Sequence, residues 1–141
     1  MLTIRHIDHV VLRVSNLPRM MEFYTGVLGC SVEKVQENLG LYQLRAGAAL
    51  IDLVPVDGPL GSKGGAAPGS EGRNLDHFCL RVEPFDANAI IAHLRENGAD
   101  PAPVASRYGA EGQGPSIYVN DPEGNVVELK GPPDESSGPA R

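Results

Sequence analysis

Between residues 7 and 14 the chain alternates with the period of a β-strand. Asp8, Val10, Leu12 and Val14 fall on one side, and Ile7, His9, Val11 and Arg13 on the other. At Asn16 the period changes. Leu17, Met20, Met21, Tyr24 and Leu28 recur at helical spacing, with Asn16 as N-cap, Pro18 in the first turn and Gly29 as the stop. Short apolar runs then predict strands near 31–37, 40–46 and 48–54. The pattern begins again at residue 75. A strand over 75–82 precedes a helix from Asp86 to Asn97, with Ile90, Ile91 and Leu94 as its buried face and Gly98 as its stop. Strands near 102–107, 115–119 and 125–130 follow. The last two are joined by Asp121–Pro122–Glu123–Gly124, with Pro where a type I turn needs a fixed φ and Gly at its exit.

Not only the pattern but the residues repeat. Segment 7–14 reads IDHVVLRV and segment 75–82 reads LDHFCLRV, identical at five of eight positions. Later, Ile51–Asp52–Leu53 is echoed by Val127–Glu128–Leu129. His9 and Asp52 are 43 residues apart, and His77 and Glu128 are 51 apart, so the halves keep their order with about eight residues added in the second. Two matches in register indicate a tandem duplication. The expected fold class is α+β, two tandem βαβββ modules with curved sheets. The first module covers 4–56 and the second 74–131. Between them 57–73, DGPLGSKGGAAPGSEGR, has the Gly, Pro and Ser content of a mobile connection. A flexible tail is expected over 132–141.

The duplication singles out four side chains. A His stands in the first strand of each half and a carboxylate in the last, so equivalent positions of packed repeats can converge. His9, Asp52, His77 and Glu128 form a mixed N/O set suited to one divalent metal ion, Zn, Ni, Mn, Fe or Co. An isolated strand His is more often a hydrogen-bonded structural residue, and a strand carboxylate can belong to a solvated face. The matched positions and the apolar neighbours of both carboxylates favour ligation. His6, without a counterpart in the second half, and His93 on the second helix read as surface residues. Met20 and Met21 read as core, and Cys30 and Cys79 as small buried apolar residues. Arg13 and Arg81 occupy equivalent positions, where a substrate carboxylate or a structural salt bridge would hold them.

Composition narrows the class. A net charge of −6, with twelve scattered basic residues, excludes a nucleic-acid footprint. No apolar stretch approaches the roughly 20 residues of a membrane span. The His6–Asp8–His9 cluster comes too early for a signal-peptide apolar region. Two cysteines make no disulfide framework, and a reduced cytoplasm is the expected home.

Two segments resemble a known family. IDHVVLRVSNLPRMMEFYTGVLGC is similar to the opening of vicinal oxygen chelate proteins, the glyoxalase, bleomycin-resistance and dioxygenase superfamily, and PSIYVNDPEGNVVEL is similar to their closing strand pair. The resemblance extends over about residues 4–131. It implies paired βαβββ modules forming a cupped, strongly curved mixed sheet around a divalent metal, with ligands from the first and last strands, here His9, His77, Glu128 and, as a further candidate, Asp52. Asp52 stands where glyoxalase I has the longer Glu, so ligand, water-mediated base and outer residue all remain open for it. The leading expectation is a glyoxalase-I-like lyase or isomerase whose small substrate chelates the metal through adjacent oxygens while Glu128 or Asp52 moves a proton. The loop SRYGAEGQGPSIY resembles one in small glyoxalase-domain proteins. It is expected to close over substrate, with Arg107 or Tyr108 touching it. Ser116 and Tyr118 match phosphonate-contacting positions of fosfomycin-type thiol transferases, a second reading against which Val11 stands in place of Thr. Extradiol-type dioxygenase chemistry and a metal-free drug-binding module complete the alternatives. A cupped sheet built from two small modules leaves edges and apolar faces exposed unless a second copy covers them, so a homodimer is expected.

Overall fold

The computed structural model describes residues 1–135, and the chain divides into two compact units that meet between Asn74 and Leu75. The first unit contains β1 (His9–Val14), α1 (Leu17–Glu22), β2 (Ser31–Gln36), β3 (Leu41–Ala46) and β4 (Ala49–Pro55). Its four-stranded sheet has the order β1-β4-β3-β2, with β1 parallel to β4 and the other pairs antiparallel. The second unit contains β5 (Phe78–Arg81), α2 (Ala87–Glu96), β6 (Ala105–Gly109), β7 (Gly112–Asn120) and β8 (Val126–Lys130). Its sheet repeats the plan in the order β5-β8-β7-β6. Both halves are βαβββ, and the class is α+β. No helix among the described residues is long and apolar enough to cross a membrane.

In the first unit, register puts Leu12 beside Leu53 and Leu44 beside Ile51, and all four are buried. Asn16 caps α1, its side-chain oxygen accepting from the Arg19 N–H at 3.1 Å. Beyond Glu22 the helix widens into a π-helical segment, Phe23–Val27, closed by the Leu28 N–H on the Phe23 carbonyl at 3.0 Å. A π-turn rotates less per residue than an α-turn. Consecutive Phe23 and Tyr24 are therefore both buried, their rings edge to face at 5.2 Å. A stripe of 3.6 period includes Tyr24 but not Phe23.

The stretch 57–73, expected to be a mobile connection, is tied to β1. A 3-10 turn spans Gly61–Gly64, and the Arg13 guanidinium donates to the carbonyls of Gly61 (2.8 Å), Gly65 (2.6 Å) and Ala66 (3.0 Å). Asn74 completes the clasp, its side chain donating to the Arg13 carbonyl and accepting from the Arg13 N–H. Composition could not show this, because the partner lies some fifty residues away. Arg13 is thus a brace for the loop.

In the second unit, Phe78, Leu80, Ile117, Val119, Val127 and Leu129 share one face of the sheet by register. Ile117, Val119, Val127 and Leu129 are buried, as is Leu94 of α2. Two expectations are corrected here. SRYGAEGQGPSIY is no open loop: β6 and β7 pair through it, Arg107 with Gly114, Tyr108 with Gln113 and Gly109 with Gly112, around a turn at Ala110–Glu111. Its glycines concealed a hairpin. The tail is held at its start, where the Gly131 N–H donates to Pro115 and the Asp134 N–H to Gln113. The remainder of the expected flexible tail, 136–141, lies outside the described residues.

Candidate functional site

The second turn of the closing hairpin fixes the register of β8. Asp121 is buried and accepts from the N–H groups of Glu123 (2.9 Å) and Asn125 (3.0 Å) and from the Asn125 side chain (2.7 Å). The Gly124 N–H closes the turn on the Asp121 carbonyl. From there Glu128 pairs with Tyr118 and Cys79, and Lys130 with Ser116 and Arg81. Because strand side chains alternate, these six share the face opposite the apolar one. Glu128 is 6% exposed. Its Oε1 lies 3.3 Å from Nε2 of His77, whose Nδ1 is 2.6 Å from Asp76.

The first unit repeats this arrangement on its own sheet. His9 Nδ1 lies 2.7 Å from Asp8, and His9 Nε2 lies 4.0 Å from Oδ2 of Asp52, which is 3% exposed. The hydrogen bond that His9 donates to Asp8 raises the His9 pKa; burial opposes this and the Asp52 charge adds to it. Burial raises the Asp52 carboxyl above its ordinary value, against a hydrogen bond from Gln43 to Oδ2 at 3.3 Å. Oδ1 of Asp52 is buried without any hydrogen-bond partner.

These two dyads are suited to a cation. An ionised Asp only accepts, so each Nδ1 donates, and a neutral imidazole then has a lone pair at Nε2. That lone pair faces a buried carboxylate, an arrangement that a proton or a metal ion relieves. Acidic partners behind histidine ligands are a recurring way of orienting them. With the orphaned Oδ1 of Asp52, the donors fit a divalent metal of the zinc or manganese type. Each unit brings together one imidazole and one carboxylate. No group of three or more His, Cys, Asp or Glu side chains able to hold a metal occurs among the described residues.

The other predicted residues divide. Arg107 donates to Ser116 Oγ at 2.7 Å, and its Cζ stands 4.2 Å from the Tyr118 ring centroid. Tyr118 in turn meets His77 edge to face at 5.5 Å. Arg107, Ser116 and Tyr118 therefore build a wall behind His77. Tyr108 lines a cavity of about 330 Å³, shared with His77, Glu128, Arg81, Glu111 and Lys130. Arg81 is held in a salt bridge with Glu111 at 2.7 Å and lies 3.5 Å from Glu83. Cys79 also lines this cavity and is exposed, whereas the sequence suggested a buried position; Cys30 is half-buried. Partial burial of the Cys79 sulfur and the neighbouring Glu128 carboxylate push its thiol up to about 11, so the thiolate is scarce at neutral pH. Sequence reasoning missed Lys130. Its only signal was the i, i+2 relation to Glu128.

Both units are βαβββ, and each sets a His at or just before its first strand against a carboxylate of its last. The chain belongs to the Glyoxalase/Bleomycin resistance protein/Dioxygenase superfamily, whose model matches residues 6–129. It is 33% identical over 129 residues to virulence protein STM3117 of Salmonella typhimurium, across 89% of this chain and 83% of that protein. The crystal structure of STM3117 superposes with a TM-score of 0.76 at 29% identity, covering 93% of this chain and 99% of the other. The glyoxalase domain-containing protein RDO1 of Mycosarcoma maydis is 34% identical, across 91% of this chain and 69% of its own length. The metallothiol transferase FosB of Shouchella clausii is 25% identical, across 87% and 77%.

Proposed function

We propose that the chain is a divalent-metal-dependent enzyme of the glyoxalase type, a lyase or isomerase acting on a small molecule with adjacent oxygens. The observation that carries this reading is the dyad present twice, Asp8–His9 facing Asp52 and Asp76–His77 facing Glu128. His9, His77 and Glu128 are the ligands, and Asp52 is a further candidate. A divalent ion held by them supplies Lewis acidity toward the oxygens of its ligand. Glu128 then moves the proton. It is buried, its backbone is fixed by the Asp121 turn, and its longer side chain lets the carboxylate shift without moving the strand. Asp52 is shorter and is already bonded to Gln43. The Tyr118 ring holds His77 in place from the side. The protein is expected to be cytoplasmic.

Metal analysis of purified wild-type and His77→Ala protein is the direct test. Wild type is expected to carry one metal per site and H77A to lose it. A metal-free wild type that still binds small molecules would make the chain a binding module, and full occupancy in H77A would overturn the ligand assignment. Once turnover is assayed, Glu128→Gln should abolish it, a loss of roughly 10²–10⁴ in rate for a proton-transfer group. Asp52→Asn should leave a measurable fraction, and the reverse ranking would identify Asp52 as the base.

A further inference from the structure

Lys130 is an unusual lysine. It is 7% exposed, it lines the cavity beside Glu128, and none of the ion pairs among the described residues involves its ammonium. The acids nearest at hand are engaged elsewhere: Glu111 holds Arg81 at 2.7 Å, and Glu128 is turned to His77 at 3.3 Å. The stem is buried but the ammonium opens to the cavity: among the described residues the buried side-chain polar atom left without a partner is Oδ1 of Asp52, not the Lys130 nitrogen. The fold makes room for this side chain. A Cβ on Gly109 would come within 2.6 Å of Lys130 Cε, and one on Gly114 within 3.1 Å of Nζ. Both glycines belong to the β6–β7 hairpin, so its chain reversal and its bare backbone together leave a channel for the lysine stem.

We infer that Lys130 is the receptor for a carboxylate on the small molecule that this cavity takes. The inference rests on reading the cavity as the small-molecule site, and it names a substrate class: compact acids that carry a carboxylate apart from their adjacent oxygens. A cavity of about 330 Å³ lies at the small end of ligand pockets and suits about ten non-hydrogen atoms. Charge selects the acid. Of the two cations in the lining, Arg81 is held by Glu111, so Lys130 is the lining cation with no ion pair, and it stands two residues along β8 from Glu128. A phosphate or phosphonate dianion would call for more than one such cation. Glu128 and Lys130 point the same way from alternate positions of β8, roughly 6.5–7 Å apart along the strand. A ligand spanning them needs its oxygens at one end and its carboxylate at the other.

The test uses 3,4-dihydroxybenzoate as probe and 3,4-dihydroxybenzamide as its neutral control. Affinities are measured by calorimetry on wild type and Lys130→Met, each metal-free and manganese-loaded, with metal content determined separately. Wild type should prefer the acid over the amide by about 10–100-fold, the effect of a charge-assisted hydrogen bond. K130M should bind the two alike, retain its metal, and melt no lower than wild type, since Met follows the same channel without a charge. Lys130→Gln provides a second uncharged variant. Equal binding of acid and amide by wild type, a preference that survives in K130M, or no binding of the acid at millimolar concentration would each overturn the inference. A large fall in melting temperature in both variants would do so as well, by making Lys130 a structural residue. If the protein takes up no manganese, the metal reading fails, but the acid-over-amide preference of the metal-free protein still decides the role of Lys130.

Discussion

An imidazole that donates from Nδ1 to a carboxylate has its second nitrogen aimed. Asp76 does this for His77 from a side chain that is 96% exposed, so it contributes orientation without contributing to the core. Asp76→Asn should therefore leave thermal stability unchanged while weakening metal binding about 10–100-fold, as a titration with a competing chelator would measure. Unchanged affinity would remove Asp76 from the site. Asp52 presents the opposite balance. Its carboxyl is raised by burial, so the fold penalises the ionised form. In metal-free protein this carboxyl destabilises progressively as pH rises from the unfolded value, about 3.9, through the raised folded value, and stays costly above it. Asp52→Asn carries no such charge. Melting curves of chelator-treated protein should show D52N more stable than wild type at neutral pH, with the gap closing below about pH 3.9. A D52N protein that is the less stable at neutral pH would show that the orphaned oxygen has a partner.

At the scale of elements, the hairpin between β7 and β8 governs the chemistry. A slip of one residue in β8 would turn Glu128 and Lys130 to the apolar side and Val127 and Leu129 to the polar one. The Asp121 side chain prevents it by holding two backbone N–H groups and the Asn125 amide. Asp121→Ala orphans those donors in a buried turn and should cost roughly 2–4 kcal/mol, read from the denaturant midpoint. A loss below about 0.5 kcal/mol, the size of an ordinary surface change, would show that strand packing alone sets the register. The clasp of Arg13 on the carbonyls of Gly61, Gly65 and Ala66 does comparable work in the first unit, through charge-assisted bonds to backbone that has no ladder of its own.

At the scale of the whole molecule, the edges are the unfinished part. β2 lies at the end of its sheet, and Val32 and Val35 on it are 52% and 43% exposed. An exposed edge strand with apolar side chains is a surface that a second copy covers. Light scattering should give twice the 15.0 kDa of one chain at micromolar concentration, and a monomer there would exclude the homodimer.

The duplication, the βαβββ order, the cap at Asn16 and the His–carboxylate pairs were all legible in the sequence. Each rests on local periodicity, on backbone geometry near Pro and Gly, or on a repeat that needs no coordinates. His9 with Asp52 and His77 with Glu128 could be matched because β1–β4 and β5–β8 obey the same register rule. Tertiary structure decided what depends on neighbours remote in sequence. It turned the glycine-rich segment around 106–116 into a paired hairpin, since two strands stabilise each other where neither shows a period of its own. It fastened 57–73 to Arg13, and it placed Arg107 on Ser116 and Tyr118. It also buried the stem of Lys130 and left its ammonium in the lining of the cavity, because only the packed sheet determines which long polar side chain is enclosed along its length.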